Sequence, residues 1–332
     1  MRVTVVRPEE LGPLEAGLWA TFQHSSPVMS SPFLSLTFAQ AVGRSRSNAH
    51  VAVVEENGKI EAFLPFELAS SGIAVPIGWP MNDLQGIIGS GAHLDARSVV
   101  RGAALRGWRF AHVPAEQTAL APYRYRGTFV QGREMDLTDG YQSYLKQRGK
   151  SFIKRSAYTR RSIERHVGPV SLEWNSPSPE HLRQLIDWKA DKYGGFARLL
   201  SSDPTAVRII EELSRANSGD CCGVVNVLFA GERAVAIHMG LIGPRGLCVW
   251  LPTYDRDLSR FSPGTMMWFA VAEEASSRGV TRIDFGYGGD RYKLHLTTES
   301  HAVVGGAVWA SRTEQFGRAV YRRLFQHPHS PA

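Results

Sequence analysis

The sequence predicts an α/β (α+β) protein made of two similar modules, each a mostly antiparallel mixed sheet flanked by helices. Two β-rich runs, "VVEENGKIEAFLPF" and "VLFAGERAVAIHMG", each hold a tight turn between two strands. Two helical stretches precede each of these hairpins, and a further strand follows it. Because a helix then leads to one more strand, we expect an open sheet with a single crossover rather than a doubly wound sheet.

The first half of the chain supplies the elements of an N-terminal module, predicted at residues 1–140. Apolar residues three and four apart predict helices in "PEELGPLEAGLWATFQ" and "PFLSLTFAQAVGR". Asn57-Gly58 is the strongest short hairpin signal in the chain. The remaining predictions, in order, are a strand at "IAVPIGW", a loop at "PMNDLQG", a helix at "DARSVVRGAAL", and strands at "GWRFAHV" and "FVQGREMDL".

The second half repeats this order in a C-terminal module, predicted at residues 169–318. Helices are predicted at "PEHLRQLIDWKADKYG", which ends at Gly194, and at "PTAVRIIEELSRAN". A hairpin turning at Ala230-Gly231 and a third strand, "GLCVWLPTYD", come next. A helix at 262–278, a strand at 280–286 and a last strand, "VVGGAVWA", complete the module. A terminal helix is predicted at "EQFGRAVYRRLF", and residues 319–332 are predicted to be the end of this helix and a frayed tail.

The positive charge of the chain is concentrated in one segment. The whole chain has a net charge of +7, and residues 146–165 alone carry eight Lys and Arg against Glu164. The segment belongs to a basic helix, predicted at 141–168, that links the two modules as a solvated connector. The alternative is a surface that faces a phosphorylated or otherwise anionic partner.

Composition and absent motifs exclude several classes of protein. The beginning of the chain has no apolar signal region, and no run of 18 apolar residues occurs. We therefore expect a cytoplasmic protein with, at most, peripheral membrane contact. Three cysteines without paired spacing predict reduced core residues and no metal site. Gly-x-Ser-x-Gly, P-loop and His-Glu-x-x-His motifs are also absent.

The stretch "RFSPGTMMWFAVAEEASSRGVTRIDFG" is the most informative part of the chain. Ser262 can cap a helix, Pro263 suits its first position and Gly279 suits its end, which is ordinary helix punctuation. The alternative is an anion site, because the first turn of a helix has unpaired N–H groups and a partial positive charge. Gly264 would leave an anion room to approach.

The same stretch resembles a known superfamily. A third strand ending "WLPTYDRDL", then "RFSPGT" opening a helix and "RIDFG" as the next strand, resembles the acyl-CoA-binding core of the GNAT acetyltransferases. The longer pattern "SPGTMM…GVTRIDFGYGGDRYKLHL" resembles the CelD-like branch, named after cellulose biosynthesis, which is similar to the FemAB aminoacyl transferases in carrying two GNAT modules. The usual signature is Arg/Gln-x-x-Gly-x-Gly/Ala, whereas here Arg260 stands one residue further away and Met266 replaces the last small residue.

The resemblance implies acetyl-CoA, or another acyl-CoA, as co-substrate. The acyl group would go to an amine or hydroxyl of a small-molecule, sugar or cell-envelope precursor. The pantetheine arm of the donor would lie along the third strand, and its diphosphate at the helix start. The donor-binding residues are then Leu251, Thr253, Tyr254, Arg260, Ser262, Gly264, Thr265 and Met266. For the first three, core packing is the alternative.

Four residues are candidates for the transfer step. Asp284 would orient or deprotonate the acceptor, or merely cap the following turn. Lys293, beside Tyr292, would by resemblance stabilise an oxyanion or hold the acceptor, and its alternative is a surface ion pair. His238 lies in an apolar strand, where a core histidine is the alternative to a base. By resemblance to a loop of the CelD-like proteins, Asp83, Asn82 and Trp79 are the candidate acceptor-binding residues in the cleft between modules. The alternative is ordinary solvation for Asp83 and Asn82 and core packing for Trp79.

Two other functions remain open from the sequence. A FemAB-like transferase would use aminoacyl-tRNA as donor, with the basic segment 146–165 facing the RNA, although no sustained heptad predicts the coiled-coil arm that those proteins often carry. Apart from that reading, nucleic acid is not an expected partner. A non-catalytic protein could instead hold a nucleotide or a polysaccharide at the anion site. The oligomeric state cannot be read from the sequence.

Overall fold

A computed structural model describes residues 1–89, 93–191, 195–288 and 291–311. The predicted terminal helix, the tail 319–332 and the predicted helix end at Gly194 lie outside these residues. The chain divides into two compact units. Unit 1 comprises residues 1–29, 39–129 and 303–332, and unit 2 comprises residues 30–38 and 130–302. This division differs from the two contiguous modules predicted from the sequence, at residues 1–140 and 169–318. Those module boundaries stay a prediction.

Unit 1 is built on a sheet with one parallel pair. Its elements are β1 Arg2–Val6, α1 Pro13–His24, α2 Leu36–Ser45, β2 Ala49–Glu56, β3 Lys59–Leu68, β4 Ile73–Pro76, β5 Ile88–Gly89, α3 Ala96–Gly102 and β6 Gly107–Pro114. The strands follow the order β1-β2-β3-β4-β6, and residues 303–309 of the last strand pair with β6. Among the described strands of unit 1, β4 and β6 form the one parallel pair, and β5 pairs with β3.

Local signals explain how unit 1 folds. Asn57 and Gly58 have φ of 51° and 76°, the left-handed values that a type I′ hairpin turn needs, so the predicted hairpin is confirmed. Asp95 caps α3, because its carboxylate accepts the N–H of Arg97 at 3.1 Å. The core lies between the sheet and α3 and is centred on Trp108, which is fully buried.

Unit 2 has the same kind of sheet with more helices. Its elements are β7 Val130–Asp136, α4 Tyr141–Gln147, α5 Lys150–His166, β8 Val170–Glu173, α6 Pro179–Ala190, α7 Gly195–Ser202, α8 Pro204–Ser214, β9 Cys222–Ala230, β10 Arg233–Gly243, β11 Gly246–Tyr254, α9 Pro263–Ser277, β12 Arg282–Tyr287, α10 Arg291–Leu296 and the first residues of β13 Thr298–Trp309. The strand order is β13-β7-β12-β11-β10-β9-β8. The β11–β12 pair is parallel, whereas β12–β7, β11–β10, β10–β9 and β9–β8 are antiparallel.

Three details of unit 2 differ from the sequence predictions. Ala230 pairs with Arg233, so the turn lies at Gly231-Glu232, one residue later than predicted. The basic helix is two helices, because the chain is extended at Arg148 and Gly149. The short elements α7, β8 and α10 were not predicted. With six or fewer residues each, β8 and α10 show little periodicity, and the Ser-rich end of α7 weakens its helical pattern.

The helix α9 anchors the core of unit 2. Met267, Trp268, Val271, Ala272 and Ala275 are buried in the cluster that α9 makes with the sheet. The three cysteines are free thiols; Cys221 and Cys248 are buried and Cys222 is half-buried. Burial raises the pKa of Cys221 to about 12, so its thiol stays protonated near neutral pH. No helix among the described residues is long and apolar enough to cross a membrane.

Candidate functional site

The strands β11 and β12 form a fork in unit 2. They pair only at Leu247–Ile283 and Cys248–Asp284, whereas β11 stays paired with β10 as far as Tyr254. The two strands therefore separate at their carboxyl ends, and we call residues 249–254 of β11 and 285–287 of β12 the unit 2 fork. A register shift at Met239/Gly240 makes Trp250 the extra residue of a β-bulge where the fork begins.

The side chains predicted to line the donor path point mainly into the protein. Leu251 and Thr253 are 2% and 3% exposed, and Tyr254 is half-buried against the core of unit 2. The Thr253 hydroxyl has no hydrogen-bond partner among the residues that the structure describes. What this strand edge can offer a ligand is therefore mostly backbone N–H and C=O groups, which bind without regard to side-chain identity.

The first turn of α9 follows after a short 3-10 helix, Arg256–Phe261, and contains a backbone donor without a hydrogen-bond acceptor among the described residues. Ser262 has left-handed φ and ψ of 55° and 50°, and its side chain makes no capping hydrogen bond. The N–H groups of Thr265 and Met266 donate to the Ser262 carbonyl at 3.0 and 3.3 Å. The N–H of Gly264 has no acceptor among the described residues, so it is available to an anion.

Gly264 is a glycine that the fold itself does not require. A Cβ built there would meet only the Tyr254 ring, at an ordinary 3.5 Å, and the backbone is helical. In a helix, glycine costs about 0.5–1 kcal/mol relative to alanine. A glycine that neither packing nor backbone conformation demands fits a place where a ligand approaches the backbone closely.

The other residues predicted at the diphosphate divide into two groups. Arg260 and Ser262 are exposed and Thr265 is half-buried, and the Arg260 guanidinium lies 4.7 Å from the centre of the Phe261 ring. Met266, in contrast, is 4% exposed and packs in the core. Burial in the core leaves little of the Met266 side chain to contact an anion.

Asp284 lies at the vertex of the fork. Its Oδ1 accepts the N–H of Gly286 at 2.8 Å, so the turn-capping role is real. Burial raises the pKa of the Asp284 carboxyl, against the opposing effects of the Gly286 N–H and of the Arg245 and Lys293 cations. A carboxyl with a raised pKa is suited to accepting a proton near neutral pH.

Lys293 and Tyr292 come from α10. Lys293 is 8% exposed, and its Nζ donates to the Tyr287 carbonyl at 2.9 Å at the end of β12. Because Lys293 also acts electrostatically on Asp284, the structure brings the predicted amine and carboxylate into one region. Tyr292 is half-buried and packs against the core of unit 2.

His238 lies inside unit 2. The side chain is fully buried, and its ring packs edge to face on Trp268 with 4.9 Å between the ring centroids. Its Nδ1 lies 3.4 Å from the amide nitrogen of Asn226. Burial, with a smaller effect of Lys189, lowers its pKa to about 3. A histidine with that pKa is a weak base, which favours the packing role over the catalytic one.

The predicted acceptor-binding residues all lie in unit 1. Asn82 is 2% exposed, and both ends of its amide are used within the unit. Trp79 is half-buried, and its carbonyl accepts from Arg46 at 2.9 Å. Asp83 is half-buried. The side chain of Asn82 is thus engaged in holding its own loop.

Sequence patterns did not predict the polar cluster beside Asp284, which consists of Glu134, Arg245, Arg282, Tyr287 and His301. Asp284 pairs with Glu134 and Tyr287 with Gly132, so β12 holds one extra residue between them, with Gly286 at φ 63°. This bulge places the Tyr287 and Asp284 side chains on the same face of the sheet. The glycine inside "RIDFGY" is the signal that would have predicted it.

The cluster is held by buried charge. Glu134 is 9% exposed and accepts from Arg245 at 2.8 Å and from Arg282 at 2.6 Å. Arg245 also approaches His301 Nδ1 at 3.5 Å, and His301 Nε2 lies 2.5 Å from the Tyr287 hydroxyl. An arginine can only donate, so Nδ1 accepts and Nε2–H donates to Tyr287. His301 therefore orients Tyr287 beside Asp284.

The raised pKa of Asp284 gives a test that links stability to activity. The folded chain holds the Asp284 proton more tightly than the unfolded chain does. The protein therefore loses stability as the pH rises from the ordinary pKa of an aspartate through the raised pKa of Asp284 in the folded state. We expect Asp284→Asn to unfold at a higher temperature than the wild type at pH 7.5, with a difference that shrinks toward pH 4, and to lose turnover. A variant that is less stable at pH 7.5 would show that Asp284 mainly supports the fold.

Among the described residues, no group of three or more His, Cys, Asp or Glu side chains is placed to hold a metal ion.

Comparison with known proteins identifies the fold. Residues 150–294 match the family model described as acetyltransferase (GNAT) domain. No curated protein matches the chain significantly.

Solved structures with this fold include three that the chain resembles over most of its length. FemX has a TM-score of 0.59 at 9% identity, over 96% of this chain and all of FemX. The C-terminal domain of a lysylphosphatidylglycerol synthetase from Agrobacterium fabrum has a TM-score of 0.54 at 13% identity, over 86% and 91% of the two chains. A tandem GNAT protein from the clavulanic acid biosynthesis pathway has a TM-score of 0.53 at 11% identity, over 93% of this chain and 98% of the other. The chain therefore has a GNAT-type α/β fold and carries a GNAT acetyltransferase-like domain at residues 150–294.

Proposed function

We propose that unit 2 binds an acyl-CoA, acetyl-CoA in the first place, and transfers its acyl group to an amine or hydroxyl of a small-molecule, sugar or cell-envelope precursor. The observation that carries the proposal is the unit 2 fork, where β11 leaves β12 after Cys248. An extended amide-bearing arm is the kind of ligand that a separating strand edge accepts, because it can hydrogen-bond as a further strand would.

The residues present fit such a donor. The Gly264 N–H, the Thr265 hydroxyl and the Arg260 guanidinium would hold the diphosphate, since a helix start and a guanidinium both favour negative charge. The backbone beside Leu251 and Thr253 would hold the pantetheine arm. The motif resemblance to the CelD-like branch favours a polysaccharide precursor as acceptor.

The transfer needs one proton acceptor and one stabilised oxyanion. As the acceptor nitrogen or oxygen bonds to the acyl carbon, Asp284 would take the proton that this atom loses. Lys293 would stabilise the negative charge on the carbonyl oxygen. When the carbon–sulfur bond breaks, its electron pair stays on sulfur, and the proton held by Asp284 would pass to the thiolate through solvent. The products are then the acylated acceptor and a free thiol.

Calorimetric titration with acetyl-CoA, followed by a thiol-release assay against amino sugars and polyamines, tests the proposal. We expect a dissociation constant within the ordinary range for a co-substrate, about 1 μM to 1 mM, and thiol release with at least one acceptor. Absence of acetyl-CoA binding would contradict the proposal. Binding without thiol release from any acceptor would favour the non-catalytic alternative.

A second candidate, an aminoacyl-tRNA donor, is favoured by the surface of α5. Lys150, Lys154, Tyr158, Arg161 and Arg165 are spaced four, four, three and four residues apart, so they share one helix face. All five are exposed, Tyr158 at 60%. This basic stripe spans about 22 Å at 1.5 Å per residue.

Cations interleaved with an aromatic ring are typical of surfaces that bind single-stranded nucleic acid. Two apolar residues of α5, Phe152 and Ile163, pack against the core of unit 2. An interfacial membrane helix would instead expose them. The stripe therefore suits a phosphate backbone better than a lipid surface.

The basic stripe separates the two donors experimentally. If tRNA is the donor, Lys154→Glu with Arg161→Glu should weaken tRNA binding by more than about tenfold, because each phosphate contact contributes to affinity. Acetyl-CoA binding should be unaffected by the same variant. Arg183→Glu, on the exposed face of α6, is the control. Equal loss of tRNA binding in the control would show that the attraction is not specific to the stripe.

A further inference from the structure

Unit 1 contains a second fork built in the same way. Its strands β4 and β6 pair in parallel only at Ile73–Gly107 and Ala74–Trp108. The strand β4 ends at Pro76, whereas β6 continues to Pro114. The order of hairpin, third strand, helix and parallel strand is also that of unit 2. On architecture alone, unit 1 would offer a second place for an extended donor.

Two buried amides span this fork. The Asn82 amide nitrogen donates to the carbonyl of Ile77, just after β4, at 2.6 Å, and Asn82 Oδ1 accepts from Gln85 Nε2 at 3.1 Å. Gln85 Oε1 accepts the N–H groups of Ala111 and His112 on β6, at 2.9 and 3.2 Å. We call Asn82 and Gln85 the crossbar, because they join the two arms of the fork.

The crossbar occupies hydrogen-bonding positions on both arms of the fork, including the Ile77 carbonyl just after β4, the strand that corresponds to β11. Besides its side chain, Gln85 uses its backbone N–H to donate to the His112 carbonyl at 3.0 Å, so it lies on β6 as a short added strand would. Asn82 and Gln85 are 2% and 1% exposed. Buried amides with satisfied hydrogen bonds are costly to displace, because removing one partner leaves the other unsatisfied.

The length of one connection explains the difference between the forks. In unit 1, 19 residues separate β4 from α3, and this segment supplies both members of the crossbar. In unit 2, only eight residues separate β11 from α9, and six of them form a 3-10 helix, Arg256–Phe261, that leads directly to the first turn of α9. The shorter connection has no residues to spare for a comparable loop.

We propose that the crossbar closes unit 1 to the donor, so that each chain binds one acyl-CoA molecule, in unit 2. This inference rests on the proposed function and adds to it the number and place of the donor sites. Asn82, predicted from the sequence to bind the acceptor, then acts by joining the two arms of the unit 1 fork so that this fork cannot bind a donor.

Calorimetric titration of the full chain with acetyl-CoA tests the inference through the stoichiometry. We expect one equivalent in the wild type and none in Gly264→Asp. Two equivalents in the wild type, or one equivalent that persists in Gly264→Asp, would overturn the inference while leaving acyl-CoA binding established. No binding in the wild type would overturn the proposed function, and the inference with it.

A crossbar variant adds an independent reading. Asn82→Ala with Gln85→Ala should lower the temperature of unfolding, since it removes buried hydrogen bonds, but keep the affinity of the unit 2 site within about twofold. A loss of more than about tenfold in acetyl-CoA affinity, in a variant that still unfolds cooperatively, would show that the crossbar belongs to a donor site. The wild-type stoichiometry stands as a test even if this variant does not fold.

Discussion

Gly264→Asp is expected to weaken acetyl-CoA binding by roughly a hundredfold or more without destabilising the protein. The carboxylate would lie in the first turn of α9, beside the N–H group proposed to hold the diphosphate. Two like charges about 4 Å apart near a protein surface repel by about 4 kcal/mol. The fold tolerates the side chain, because a Cβ at this position meets only the Tyr254 ring. An acidic residue at a helix start is also favourable for the helix, by about 0.3–1 kcal/mol.

A matched control lies in the same unit. Gly149 is the N-cap of α5, and a Cβ added there meets nothing within 4 Å. Gly149→Asp places the same charge at another helix start, and we expect donor affinity to stay unchanged. Calorimetry gives the affinities and thermal unfolding gives the stabilities. Equal binding by Gly264→Asp and the wild type would remove the proposed diphosphate site.

Glu67→Gln is expected to destabilise unit 1 by about 3 kcal/mol. Arg46 and Glu67 form an ion pair at 3.0 Å with side chains only 8% and 7% exposed, and Glu67 also accepts the N–H of Gly78 at 2.6 Å. Neutralising Glu67 leaves the Arg46 charge buried without its counter-ion, which typically costs 3–5 kcal/mol. The remaining amide oxygen can still accept a hydrogen bond, so the lower end of that range applies.

Urea unfolding measures this loss. Glu55→Gln is the control, because its partner Arg2 is exposed and the two groups are 3.7 Å apart, and ion pairs at the surface contribute about 0–1 kcal/mol. The double change Arg46→Met with Glu67→Leu should recover much of the stability, since apolar replacement of a buried pair is often neutral. A cost below about 1 kcal/mol for Glu67→Gln would show that water reaches Arg46.

The elements that the sequence predicted well carry local signals. Asn57-Gly58 specifies its turn through two left-handed residues, and Pro263 at the first helical position marks the start of α9, although the predicted side-chain cap by Ser262 does not form. Such signals act within a few residues, so they can be read without knowing what packs against them. The duplicated order of hairpin, third strand, helix and parallel strand, which predicts the fold class, rests on the same local patterns.

The fork and the crossbar depend on contacts that local patterns do not contain. The separation of β11 from β12 depends on the register of two strands joined through a whole helix. Asn82 was predicted at the acceptor cleft by resemblance, with the ordinary exposure of a polar loop residue as the alternative. The structure instead buries it against Gln85, and that contact requires β6 to lie beside the loop.

The polar cluster at Asp284 was missed for a related reason. Glu134 and Asp284 are neighbours across β7 and β12 although 150 positions separate them in the chain. A bulge at Gly286 then changes the alternation of side chains, so a simple strand pattern places Tyr287 on the wrong face. Only the glycine in the strand gives a hint of this rearrangement.

Amide hydrogen exchange with and without acetyl-CoA shows whether the donor lies along β11 and the first turn of α9. We predict slower exchange in peptides that cover residues 249–268, where the donor would lie along β11 and the first turn of α9. Exchange in the loop 77–89 of unit 1 should not change. Protection of that loop, or unchanged exchange across 249–268 at saturating acetyl-CoA, would contradict the account.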